Sequence, residues 1–229
     1  MRFYIRSRKC YWPDHVGKLI GDFLFVLLIF IIAEQNDGKM SYDNVLRLWQ
    51  WHILSTAMRY AALEMEKEIR LNYLQNLLAQ KLSLWKIYAY RGLGCIVESS
   101  LIFLAYFLIC IQVFGVSIQN DAIPTSNLLS YLLCSFVFMY CFFYLTICLT
   151  LRYKRVEVFI SMVSTALIFL SGMVFGYGDK SYLLTGQIAK LVYDFHIREL
   201  QIIGVQLLVL IGITVFLCKK MNFILHRAN

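Results

Sequence analysis

Proline is almost missing from this sequence. Pro13 and Pro124 are the whole complement in 229 residues, so little in the chain stops a helix from running on. Charge is scarce as well: 16% of residues are Asp, Glu, Lys or Arg, against about 25% in a typical soluble domain. Hydrophobic residues make up 60%, a balance that excludes an ordinary soluble globule. The seven cysteines, at positions 10, 95, 110, 134, 141, 148 and 218, include no C-x-x-C pair. Their number is odd and most lie inside apolar runs, so they read as small packing residues, not as a disulfide framework or metal ligands. Catalytic constellations are missing too. His15, His52, His196 and His226 are far apart, and neither H-E-x-x-H nor G-x-S-x-G occurs. GYGDKS at Gly176–Ser181 fails as a phosphate loop, because Asp179 stands where the motif needs Lys directly after Gly. The chain therefore reads as non-catalytic, with no cofactor or metal site of its own. Any energy it uses arrives from a partner.

What it does have is long apolar runs. About 20 residues of helix cross a hydrocarbon core of about 30 Å, and in lipid such runs must be helical to satisfy their own backbone. Six candidate spans follow: Leu19–Ala33, Leu48–Leu63, Cys95–Val116, Leu128–Leu151, Val158–Tyr177 and Leu200–Cys218. The expected fold is an all-α integral membrane protein, one transmembrane domain over 1–229. The first two spans are the weaker: Asp22 lies near the start of one, and the other is the least apolar. A protein interior is expected around parts of both. Cleavage of a signal peptide after Ala33 is an alternative to a retained first span.

Lys and Arg set the orientation. Sixteen of the 22 basic residues fall in the N-terminus, Glu64–Gly92, the link after span four, and the tail. With six spans all of these lie on one side, so both termini are expected in the cytosol. The net charge of +8 is then a topology signal. Because the positive residues are divided among four separate segments, nucleic-acid binding is not expected. Residues 1–17 mix aromatic and basic side chains, which suits either an interfacial helix or a plain juxtamembrane tail.

The most informative stretch is 64–92. Charges recur at helical spacing, Glu64 with Lys67 or Glu68 and Glu66 with Arg70, and Glu66 before Arg70 is the favourable order for an i, i+4 ion pair. Leu74, Leu77, Leu78, Leu82 and Trp85 then share one face. Asn72, between the halves, tolerates a helix-ending conformation. The expectation is a helix continuing out of span two, a break near Asn72, and a short amphipathic helix over 74–82. Its leucine face either rests on the membrane surface or docks in a groove of another protein.

LQNLLAQKLSLWKIY (Leu74–Tyr88), behind EMEKE, resembles the first cytoplasmic loop of the type-2 ABC transporter permeases, E-[KR]-E…G-T-L-E-x-L-L-x-x-P-[LV]-S-x-W-x-I. Leu74, Leu77, Leu78, Leu82, Ser83, Trp85 and Ile87 match. Asn72, Tyr73, Gln75 and Lys81 depart, standing for Gly, Thr, Glu and Pro. FLSGMVFGYG (Phe169–Gly178) is similar to that family's F-L-S-G-x-x-F-P near the outer end of span five, with Gly176 for Pro. The resemblance covers essentially the whole chain. It implies the six-helix architecture of type V exporters and a permease dimer, homomeric or heteromeric. It also implies two copies of a cytosolic ATP-binding subunit, which hold ATP and Mg and dock through Leu74, Leu77, Leu78, Leu82 and Trp85. Residues 178–199 become the outer loop with short helices. The implied function is export of a peptide, bacteriocin-like, or of another amphipathic cargo across a cell membrane, in a bacterium its inner or plasma membrane. A scaffold, sensor or immunity subunit without transport, an exporter of drug-like or lipid-linked molecules, and a membrane-embedded enzyme are the alternatives.

Two further groups carry expectations. Ser161, Ser164, Thr165 and Ser171 give span five a polar component, read as helix packing or as cargo lining. Arg59 and Glu98 lie at similar depth in spans two and three. Intramembrane ionisable groups usually have partners, which makes them a candidate ion pair. The aromatic run Tyr131–Leu145 is expected to face lipid or a dimer partner.

Overall fold

The structure is a computed structural model describing residues 12–37, 42–71, 73, 84–115, 124–170, 184–192 and 195–227. Among these residues it is all-helical: α1 Trp12–Asp37, α2 Tyr42–Arg70, α3 Leu84–Phe114, α4 Thr125–Tyr153, α5 Glu157–Leu170, α6 Leu184–Lys190 and α7 Ile197–Arg227. No proline interrupts any of them: Pro13 sits in the first turn of α1 and Pro124 just before α4, where a missing N–H is harmless.

Among the described residues, three helices are long and apolar enough to cross a membrane: α3 over Trp85–Phe114, α4 over Thr125–Tyr153 and α7 over Ile197–Lys220. This marks a membrane protein. Among the other three expected spans, α1 has a shorter apolar stretch, Leu19–Ile32, and α5 is apolar over Glu157–Leu167, the remainder of the expected Val158–Tyr177 span running beyond the described residues. α2 runs 29 residues, but Gln50, His52 and Ser55 sit within it, and all three are buried. Leu48, Ile53, Leu54, Ala57, Met58, Ala61, Ala62 and Met65 of α2 are buried as well. Protein therefore surrounds α2, which is why its sequence did not need a lipid-grade surface.

The chain forms two compact units. One joins α1 to the part of α3 from Leu104 onward; the other holds the remainder. In the first, the Tyr106 hydroxyl donates to the Leu19 carbonyl at 2.9 Å. Phe23 packs on Tyr106 and Phe114, and Phe30 on Phe107. α3 ends at Gly115, whose φ of +68° is one that a side chain would strain.

Among the described residues the second unit shows two cores. The larger gathers Ile53, Leu54 and Met58 of α2, Tyr131, Phe138 and Met139 of α4, Ile188 of α6, and Ile203 and Leu207 of α7. The smaller joins Ala57, Ala61 and Met65 to Tyr88, Cys95, Phe143 and Ile147. The aromatic run of α4 thus differs from its expectation. Tyr131, Phe138, Met139 and Phe143 are buried in the unit's own core, while Leu132, Leu133 and Phe136 are exposed. Helical periodicity divides the run between an inner and an outer face.

Cross-helix contacts give the helix directions. Tyr140 and Tyr144 of α4 donate to the carbonyls of Ala89 and Trp85 of α3, so these helices run antiparallel. Cys148 and Cys218 meet near the C-terminal ends of α4 and α7, and the early residues of α4 share a core with those of α7, so α4 and α7 run parallel. One end of the unit consequently collects the C-termini of α2, α4 and α7 with the N-terminus of α3. Lys67, Arg70, Lys86, Arg91, Arg152, Lys154, Arg155, Lys219 and Lys220 lie there. At the other end the Tyr131 hydroxyl donates to the Leu46 carbonyl at 2.6 Å, and the Asn127 amide to the Val192 carbonyl at 3.2 Å.

Candidate functional site

The basic end of the second unit carries the densest set of polar contacts between helices, and it forms from the bottom of α2. Ala57, Ala61 and Met65 recur at four-residue spacing and put one stripe of α2 into the smaller core. Glu68, three residues further on, continues that stripe and is buried. A carboxylate held out of water needs hydrogen-bond donors and an opposite charge. α3 supplies both: the Tyr88 hydroxyl and the Arg91 guanidinium each donate to Glu68. Tyr88 also reaches the Met65 sulfur at 3.6 Å, and the Arg91 guanidinium lies 5.5 Å from the Tyr88 ring centre.

Around this knot the charges pair as their spacing predicts. Lys67 donates to Glu64 at 3.2 Å, and Arg70 donates to Glu66. These are exposed or partly exposed helix pairs, worth a few tenths of a kcal/mol each. Their role is to keep α2 helical beyond its apolar part. The helix does continue out of span two as expected, to Arg70, with the Leu71 N–H still bonded to the Lys67 carbonyl at 2.9 Å.

α4 holds the other side of α3. Besides its hydrogen bonds to Trp85 and Ala89, the Tyr144 ring packs on Trp85 at 5.9 Å between centres. Phe143 presses on the α3 backbone at Gly92, where a methyl group would stand 2.9 Å from two ring carbons. Only glycine lets the ring come this close. The first turns of α3 are therefore fixed to α2 through Glu68 and to α4 through three aromatic side chains. Between the fixed ends runs the segment bearing Leu74, Leu77, Leu78 and Leu82, which lies outside the described residues, as does the break at Asn72. Trp85, half-buried, is the one expected docking residue that is described. Its indole N–H has no hydrogen-bond partner among the described residues.

The remaining candidates fall elsewhere. Ser164 is buried, and its carbonyl accepts the Trp51 indole N–H at 2.8 Å. Ser161 and Thr165 are exposed, and the Thr165 hydroxyl donates back to the Ser161 carbonyl at 3.0 Å. These two occupy the outer face of α5, whereas Ser164 packs inward. Ser171 lies outside the described residues. Arg59 on α2 and Glu98 on α3 are both half-buried. Among the described residues no cluster of His, Cys, Asp or Glu could hold a metal ion.

Glu68, Tyr88 and Arg91 escaped the sequence reading. Glu68 lies in a charge cluster read for helical spacing alone, and its inward phase becomes visible only when the 57, 61, 65 stripe is carried one turn further. Comparison with protein-family models, with characterised proteins and with solved structures finds no match for this chain.

Proposed function

We propose that the chain is the transmembrane permease subunit of an ATP-driven exporter, a multi-pass protein of the cell membrane. Six helices, α1 to α5 and α7, would traverse or enter the bilayer, with both termini cytosolic as in the type-2 ABC permeases it resembles. The observation that carries this reading is the clamp at the basic end. A loop that transmits force from a motor needs both of its ends fixed to the helices that must move. Glu68, Tyr88, Arg91, Tyr144 and Phe143 hold both ends of the 72–83 loop in that way. The collection of basic side chains at the same end supports a cytosolic placement.

In this reading the leucine face of the loop fills an apolar groove of a separate ATP-binding subunit, present in two copies, which holds ATP and Mg. This chain is non-catalytic. A second permease subunit completes the pathway, and a peptide or other amphipathic cargo passes outward. Ser161 and Thr165 are the pathway candidates, because they are exposed; the buried Ser164 has a packing role. The register of the α2–α3 contacts supports the Arg59–Glu98 pair, since it brings the two residues to similar depth.

The test is the loop itself. Burying two leucines contributes about 3–6 kcal/mol before ordering costs. Leu77→Asp with Leu78→Asp is expected to leave the protein in the membrane but to abolish co-purification of the ATPase subunit, or to leave a complex without transport. Unchanged assembly and transport in the double variant would overturn the docking role. A scaffold would keep its partner without any dependence of that partner's ATPase activity on this chain.

A further inference from the structure

The α4–α7 seam brings two thiols together. The Sγ atoms of Cys148 and Cys218 lie 3.6 Å apart. The helices are parallel neighbours here. Cys148 is buried and Cys218 half-buried. Both lie near the end of the apolar layer: Lys219 and Lys220 follow Cys218 directly and are exposed, and Arg152, also exposed, is one turn beyond Cys148. The pair is therefore within reach of small polar reagents from the basic face. The other described thiols differ. Cys95 has a hydroxyl beside it, Ser99 at 4.0 Å, and Cys95, Cys110 and Cys134 are all buried.

We infer that Cys148 and Cys218 form an oxidisable dithiol, a modification site whose closure staples α4 to α7. Closure brings the sulfurs from their contact distance to a bond of about 2.05 Å across one helix seam, and it requires the two Cα atoms to stand within about 7 Å of each other. A peroxide is the oxidant class. Cys218, the more accessible thiol, attacks one peroxide oxygen. The O–O bond breaks, one water leaves, and Cys218 becomes a sulfenic acid. Cys148 then displaces the hydroxyl, which leaves as a second water. One S–S bond has formed, and the two sulfurs have each given one electron to the peroxide. A thiol reductant reverses the reaction by exchange. Cys141, also on α4 and a neighbour of Cys218, is the competing partner.

The test uses the full chain in native membranes or lipid nanodiscs. Samples are treated with hydrogen peroxide, with and without later dithiothreitol, and free thiols are then blocked with a maleimide. Peptide mapping by mass spectrometry reads the linkage. The expected result is a single species lacking two free thiols, with residues 148 and 218 cross-linked within one chain, and full recovery on reduction. Cys148→Ser and Cys218→Ser are each expected to abolish the cross-link, while Cys141→Ser preserves it. Mapping needs no variant, so poor folding of a serine variant does not block the result. Retention of both thiols at peroxide levels that oxidise an exposed cysteine would overturn the proposal. So would a 141–218 linkage, or a linkage only between chains.

Discussion

Replacing Glu68 by Ala removes the centre of the clamp and leaves two donors behind. Tyr88 is buried, 3% exposed, so its hydroxyl cannot turn to water in place. The Arg91 side chain is 30% exposed, so water recovers part of what the guanidinium loses. Hydrogen bonds to a charged group are worth about 1.5–3 kcal/mol each, and breaking a fully buried ion pair from one side costs about 3–5 kcal/mol. With Arg91 partly wet, Glu68→Ala is expected to destabilise by about 2–4 kcal/mol, below that upper figure. For a chain of this length each kcal/mol moves the unfolding midpoint by about 2–4 °C, so the midpoint should fall by roughly 5–15 °C. Size-exclusion chromatography of the detergent-solubilised protein after a heating series reads the midpoint. Tyr88→Phe, which removes one bond and keeps the ring, should produce about a third to a half of the effect. Pairing Glu68→Ala with Arg91→Met should lose less than the two single changes added, because each change removes the same interaction. A midpoint within about 2 °C of the parent for Glu68→Ala, under 1 kcal/mol on this scale, would refute a buried clamp.

Three other outcomes follow from the same contacts. Gly92→Ala drives a methyl group into the Phe143 ring, so it should cost about 1–3 kcal/mol by overpacking, and Phe143→Leu in the same chain should recover part of that in the heating series. Single cysteines placed at Asp37 or Asn120, with native cysteines removed, should label from outside intact cells, whereas those at Gln80 or Lys154 should not; outside labelling at Gln80 would sink the six-span topology. Exchanging charge by Arg59→Glu with Glu98→Arg should restore part of the folded yield that Arg59→Ala and Glu98→Ala each lose, and strictly additive losses across that cycle would rule out direct pairing.

Much of the frame was legible because hydropathy acts over long windows. Nothing polar interrupts the apolar parts of α4 and α7 strongly enough to obscure them, and α3 reaches Phe114 with Glu98 the one charged residue inside its apolar part. The enclosure of α2 was legible as well: a helix carrying Gln50, His52 and Ser55 cannot face lipid all round, and it does not. Less legible was the fate of the aromatics in α4. Tyr, Phe and Cys satisfy both a lipid face and a protein core, so composition alone did not divide Tyr131–Leu145 into its two sides. The division comes from the shapes opposite. Gly92 leaves room for Phe143, and the carbonyls of Leu46, Ala89 and Trp85 accept from Tyr131, Tyr140 and Tyr144.

The α2–α3 hairpin explains why the contact of Glu68 with Tyr88 and Arg91 was not anticipated. In two antiparallel helices, residues lie level when they are equally far from a shared contact. His52 and Phe103 make such a contact, with rings 5.7 Å apart. From there toward the basic end, Arg59 is seven residues along α2 and Glu98 is five residues back along α3. Glu68 is sixteen along, and Tyr88 and Arg91 are fifteen and twelve back. At about 1.5 Å per residue both sets agree within about one turn. Counting depth would thus have found Glu68 opposite Tyr88 as readily as Arg59 opposite Glu98. The sequence reading weighs depth for Arg59 and Glu98 alone, inside the apolar spans. At the end of a helical hairpin the two helices still pack, but lipid no longer fixes which residues are apolar. Helical phase then decides, and the phase of α2 was already written in Ala57, Ala61 and Met65. A charged residue that keeps the phase of a buried stripe past the end of a span belongs to the interior, and its partner is to be sought on the returning helix at equal depth.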